Sequence, residues 1–135
     1  NKEFLPSGKP TNDDNQSASE RHSSPTHNGL PDGATLYQSN CAACHQPSGE
    51  GLPGAFPPLK GSTIVTNENP ESLIRIIIEG YDARPEFATM PPLGGQLTDE
   101  EITAIITFER SHWGNNAPAV DIDVVKKVRS SPQNQ

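Results

Sequence analysis

The sequence predicts an all-α domain of a few helices and long loops wrapped around a bound group, and three observations carry that expectation. Apolar residues supply only 31% and aromatics only 5% of the 135 residues, so something other than side chains is expected to supply core volume. Several segments carry capped starts and apolar residues at helical spacing, while no alternating strand pattern of useful length and no internal repeat occurs. Between them run two loops rich in Gly and Pro, 46–62 and 81–96. Irregular stretches of that length are uncommon inside a compact domain unless they enclose something or perform a function.

In chain order, residues 1–31 are dominated by Ser, Asn, Asp, Pro, Gly and Lys, with Phe4, Leu5 and Leu30 as the sizeable apolar groups. Such a stretch cannot offset its ordering entropy by burial, so it reads as a polar arm or linker, and His22 and His27 within it read as solvated side chains. The domain proper spans 32–130, followed by a short tail, 131–135. Asp32 is placed to cap a first helix running through Ala34, Leu36 and Tyr37 toward the cysteines. Gly49, Gly51, Gly54, Pro47, Pro53, Pro57 and Pro58 then forbid regular structure through the first loop. Asn69 and Pro70 open the next helix, with Asn as N-cap and Pro at the first helical position, and Gly80 stops it. Leu73, Ile76 and Ile77 share one of its faces, widened by Ile74 and Ile78.

After the second loop, Thr98 and Glu101 have capping-box spacing, and Leu97 can staple against Ile102. Ile102, Ile105 and Ile106 define the inner face of this helix, Phe108 and Trp113 extend it, and Gly114 is placed to end it. A last short helix is expected over 121–129, packing through Val124, Val125 and Val128, with Lys126, Lys127 and Arg129 suited to the negative end of its dipole.

The net charge of −7 and the lack of any basic run exclude a nucleic-acid partner, which would require clustered Lys and Arg. No apolar stretch approaches the ~20 residues that cross a bilayer. A start at Asn1 rather than Met is compatible with removal of a signal peptide, an anchor or a preceding domain.

Chemistry concentrates in the run Cys41-Ala42-Ala43-Cys44-His45, which holds both cysteines of the chain. Thiols at this spacing can add to the two vinyl groups of one haem, and the adjacent imidazole then reaches the iron. Three other readings compete. A dithiol redox motif would sit near a βαβ pattern, a zinc site would need further Cys or His at ligand spacing, and a structural disulfide needs only the two thiols. None of the three finds support elsewhere in the chain, and haem agrees best with the loops and helices. A sixth ligand would come from Met90, the single methionine, set before Pro91-Pro92; thioether ligation favours ferrous iron and suits an electron carrier. Core filling is the ordinary alternative for a methionine, and His112 is the rival ligand.

Together with that motif, Gly33 with Tyr37, Phe56-Pro57-Pro58-Leu59, Met90-Pro91-Pro92, Leu97-Thr98-Asp99-Glu100-Glu101 and Trp113-Gly114 occur in an order that resembles the class I (mono-haem) cytochromes c of bacteria. The resemblance covers about residues 32–129 and implies one covalently bound haem c in the class I cytochrome c fold. It implies that the first and last main helices cross at Gly33, Tyr37 and Phe108. It also implies that Pro57 offers its carbonyl to the free nitrogen of the histidine ligand, and that His45 and Met90 hold the iron. Leu52, Phe56, Leu59, Ile64, Ile77, Leu93 and Leu97 are the candidate haem-packing residues, with ordinary core as the alternative.

The function implied is electron transfer by Fe(II)/Fe(III) cycling, not transformation of a substrate. Redox proteins (a dehydrogenase, reductase or oxidase) would be the partners. A haem module docked permanently on such an enzyme is the alternative, and a catalytic or gas-sensing haem with a detachable Met90 is a further one. The resemblance implies a periplasmic or exported protein, with membrane tethering left open.

Overall fold

Asp32 opens the first helix in the computed structural model, which describes residues 30–82 and 85–132. Its carboxylate accepts from the Thr35 hydroxyl at 2.7 Å and the Thr35 amide at 3.4 Å, satisfying donors that the helix start leaves free. The arm through residue 29, with His22 and His27, and tail residues 133–135 lie outside the described residues. The helices in order are α1 (Gly33–Asn40), α2 (Ala42–His45), α3 (Thr63–Thr66), α4 (Glu71–Glu79), α5 (Asp99–Ser111) and α6 (Ile122–Arg129). The described residues form no β-strand, and isolated bridges pair Leu52 with Phe56 and Tyr81 with Met90. The architecture is all-α, as the sequence predicts.

Each start and stop has a local cause. Thr98 and Glu101 form the reciprocal capping box of α5. Asp121 caps α6 by accepting from the Asp123 amide. Helix α4 begins one residue later than expected: Asn69 still accepts from the Glu71 amide at 3.0 Å, but Pro70 occupies the boundary position itself. Its end at Gly80 requires a glycine, since φ there is 86° and a Cβ would meet the Met90 carbonyl oxygen at 2.7 Å. The one-turn helix α3, capped by Ser62, falls just past the loop boundary and was not foreseen, because four residues carry no readable period.

The core lies where α1 and α5 cross and where α4 and α6 close against α5. Ile74, Ile102, Ile105, Ile106 and Val125 are wholly buried there, with Leu73, Ile77, Leu97 and Val128 nearly so. Gly33 permits the α1–α5 crossing: a Cβ on it would overlap the Ala104 carbonyl oxygen and come within 2.9 Å of Phe108 Cβ. Gly33→Ala is therefore expected to cost about 2 kcal/mol and to lower Tm by roughly 10 °C, read by thermal unfolding, because backbone rather than a movable side chain must give way.

Tyr37 fills the other side of the crossing. Its ring lies 5.5 Å from Phe108 and 5.1 Å from Trp113, and its hydroxyl donates to the Gln46 carbonyl at 2.7 Å. Helix α5 stops at Ser111, before the expected Gly114, and Trp113 itself takes the left-handed conformation with φ 58°. Ring packing and an indole N–H bond to the Pro47 carbonyl at 2.9 Å hold it there.

Two buried side chains fasten loops to helices. Arg110, 1% exposed, donates to the carbonyls of Val65, Asn67 and Pro118. Asn115 accepts from the Gly61 amide at 2.8 Å and donates to Leu59 and Glu109 carbonyls. At the far end, Arg129 of α6 pairs with Asp99 at 2.7 Å and donates to the carbonyls of Gly94 and Leu97.

Candidate functional site

The chain turns from α1 into α2 within one residue, at Cys41, and that junction sets the site. Cys41 and His45 are buried and Cys44 is exposed on the protein surface, yet all three line one cavity of about 450 Å³. Helical spacing in α2 brings the second cysteine and the histidine to the same side as the first. Cys41 and Cys44 are not joined as a disulfide. Among the described residues no group of three or more His, Cys, Asp and Glu side chains is placed to hold a metal ion.

His45 is held by one directed bond. Its Nδ1–H donates to the Pro57 carbonyl at 2.9 Å, which fixes the tautomer and leaves Nε2 as a lone-pair donor. Burial pulls the ring below the ordinary imidazole range, against the opposing effect of that bond, so the neutral, ligating form prevails. Burial also pushes the Cys41 thiol up, with the Glu109 carboxyl adding to the effect.

Met90 reaches the same cavity from the second loop. Its backbone is bonded in both directions to Tyr81, at 3.0 and 2.9 Å, so the strap is fixed without using the side chain. The Leu93 amide ties the loop to the Ile77 carbonyl of α4 at 2.9 Å, and the Ala88 amide ties it to Ala55 of the first loop at 2.9 Å. The two long loops thus close on each other around the cavity.

The structure brings Phe56, Pro57, Leu59, Ile64, Ile77 and Leu93 into the cavity wall, and leaves two candidate packing residues outside it. Leu52 is 48% exposed, because its backbone pairs with Phe56 and turns the side chain outward. Leu97 lies in the helical core, just before the α5 cap. His112 also lies outside the wall: it is exposed, stacked on Phe108 at 4.0 Å, with Nδ1–H donating to the Phe108 carbonyl.

Sequence reasoning missed Val65, Leu73, Ile76 and Phe87 in the wall, and above all Glu109. Glu109 is 3% exposed, its Oε1 has no hydrogen-bond partner among the described residues, and burial pushes its carboxyl up to about 8. A signal existed, since Glu109 follows Ile102, Ile105 and Ile106 on the inner face of α5.

These features fit a haem. The cavity lies in the size range of cofactor sites, about 300–1,000 Å³, and its wall is mostly apolar. Two sulfurs, a tautomer-fixed imidazole and a thioether, the donor set of a c-type site, meet in it.

Comparison with known proteins gives a family match over residues 28–108 to the model described as cytochrome c oxidase, cbb3-type, subunit III. The chain is 37% identical to the fructose dehydrogenase cytochrome subunit of Gluconobacter japonicus, over 94% of this chain and 28% of that protein. It is 35% identical to the cytochrome c subunit of the quinone alcohol dehydrogenase of Gluconobacter oxydans, over 73% of this chain and 22% of that protein. It is 40% identical to cytochrome c-552 of Thermus thermophilus, over 62% of this chain and 70% of that protein. The chain therefore spans about a quarter of the two dehydrogenase subunits and most of the c-552.

Proposed function

We infer the function from one premise that the family match establishes: this chain belongs to the class I c-type cytochromes and carries covalently bound haem c. It is an electron carrier. When bound, the haem supplies an iron that alternates between ferrous and ferric states. The proposed roles of the chain's residues follow from where they lie. Cys41 and Cys44 would form the two thioether links, His45 Nε2 and the Met90 sulfur would hold the iron, and Pro57 would orient the imidazole and strengthen it as a donor. Phe56, Leu59, Ile64, Ile77 and Leu93 exclude water from the macrocycle, which keeps reorganisation on electron transfer small.

One observation carries this reading: His45, fixed by Pro57, and Met90, fixed by Tyr81, share a single apolar cavity with both sulfurs. Two protein ligands leave no open iron position, so the expected result is a low-spin spectrum in both redox states that carbon monoxide does not change. A ready spectral response to carbon monoxide would overturn it in favour of a catalytic or gas-sensing haem.

The redox partners are proposed to be proteins. The relatives named as dehydrogenase cytochrome subunits favour a second reading, in which the chain is a haem module docked on such an enzyme instead of a free shuttle. Co-purification of a dehydrogenase with the native protein distinguishes the two. A periplasmic or exported location is proposed because this haem is attached beyond the cytoplasmic membrane in the family. No helix among the described residues is long and apolar enough to cross a membrane.

A further inference from the structure

Electron transfer leaves Glu109, a buried ionisable group of the cavity wall, without a role. Glu109 sits on the inner face of α5, almost wholly buried, and its Oε1 has no hydrogen-bond partner among the described residues. A bare carboxylate in such a place is strongly disfavoured, and the group stays a neutral acid well past the ordinary carboxyl range. Burial is the cause of its shift to about 8, and no charged neighbour offsets it. A carboxyl in the wall of the cavity that would hold an iron, whose charge changes by one, would couple to that change. The ferric state favours the carboxylate, and the ferrous state favours the acid.

We propose that Glu109 is a redox-linked proton site: its carboxylate takes up one proton from water as one electron arrives at the haem, and releases it as the electron leaves. The proposal rests on the haem reading above. Charge balances, because the electron comes from the redox partner, the proton from solvent, and the only bond formed or broken in the protein is the carboxyl O–H. The ionisable groups packed around Glu109 are otherwise engaged. Tyr37 of α1 donates its hydroxyl to Gln46, and Cys41 and Cys44 cease to titrate as thioethers. His45 is tied to Pro57, and the Arg110 guanidinium on Glu109's own helix is engaged with the Val65, Asn67 and Pro118 carbonyls. Helices α3 and α4 present only Thr63, Ile64, Val65, Leu73, Ile76 and Ile77 to the cavity, none of them ionisable. Tyr81 and Asp82 also border the cavity, Asp82 on the exposed rim.

The test is the midpoint potential of the holoprotein, measured by spectroelectrochemical titration across neutral and alkaline pH. The wild-type potential is expected to fall as pH rises, approaching about 59 mV per tenfold change in proton concentration for one proton per electron. Glu109→Gln is expected to be flat, to lie above the wild type at the alkaline end and to meet it at the acid end. Glu109→Leu, which suits an apolar wall, should also be flat and serves if the amide variant does not mature. A flat wild-type profile overturns the proposal. So does a slope that persists in either variant, since the proton would then belong to another group. Failure of the haem reading looks different: the protein would show no redox-dependent absorbance at all.

Discussion

Replacing both Cys41 and Cys44 by alanine is expected to abolish retention of haem in denaturant, while the wild type keeps its colour on a denaturing gel. On the proposed assignment the cavity would hold the haem by packing and by bonds from His45 and Met90 to the iron, and both would disappear when the chain unfolds. Two thioether links would not. The loss should therefore be complete in denaturant and partial under native conditions, where His45, tied to Pro57 at 2.9 Å, still presents its free nitrogen. Cys41 is 8% exposed and belongs to the core as well, so its truncation should also lower Tm. Alanine at exposed Cys44 should do so less. Haem stain that survives denaturation in the double variant would refute attachment through these sulfurs.

Met90→Ala should lower the midpoint potential by roughly 0.2 V, a quarter of the ~0.8 V over which axial ligands set haem potentials. Thioether sulfur stabilises the ferrous state, and a small exogenous ligand or water in its place does not. The variant should also bind carbon monoxide readily. Such a substitution is informative because the loop does not depend on the side chain: the Met90 amide and carbonyl are both bonded to Tyr81, and Gly80 turns the chain beside them. An unchanged potential together with inertness to carbon monoxide would show that Met90 is a packing residue and that another group closes the iron.

What the sequence made legible was local chemistry. The Cys41 to His45 run, the Asp32 and Thr98 caps, the Gly80 stop and the valine face of α6 all depend on residues within a few positions of each other, and each appears where expected. The bond from His45 to Pro57 came through family resemblance, since eleven intervening residues of irregular chain have no readable geometry. Leu52 and Leu97 show the limit for packing: hydrophobicity marks a residue for burial without saying against what, and a tight turn exposed one while a helix cap drew the other into the core. Glu109 and Asn115 were passed over for a different reason. Polar residues are read as surface by default, and the meaning of these two lies in contacts or enclosure made by distant segments.

The Arg129 side chain has a consequence for where this module can be cut. The family match ends at residue 108, but Arg110, Asn115 and Arg129 lie beyond it and fasten, respectively, the Val65–Asn67 turn, the Leu59–Gly61 turn and the Gly94–Leu97 end of the methionine loop. An excised or grafted version trimmed to the matched boundary would keep every atom proposed to touch iron and lose the buckles that hold those segments shut. The transplantable unit runs through α6, and a fusion partner belongs after Arg129.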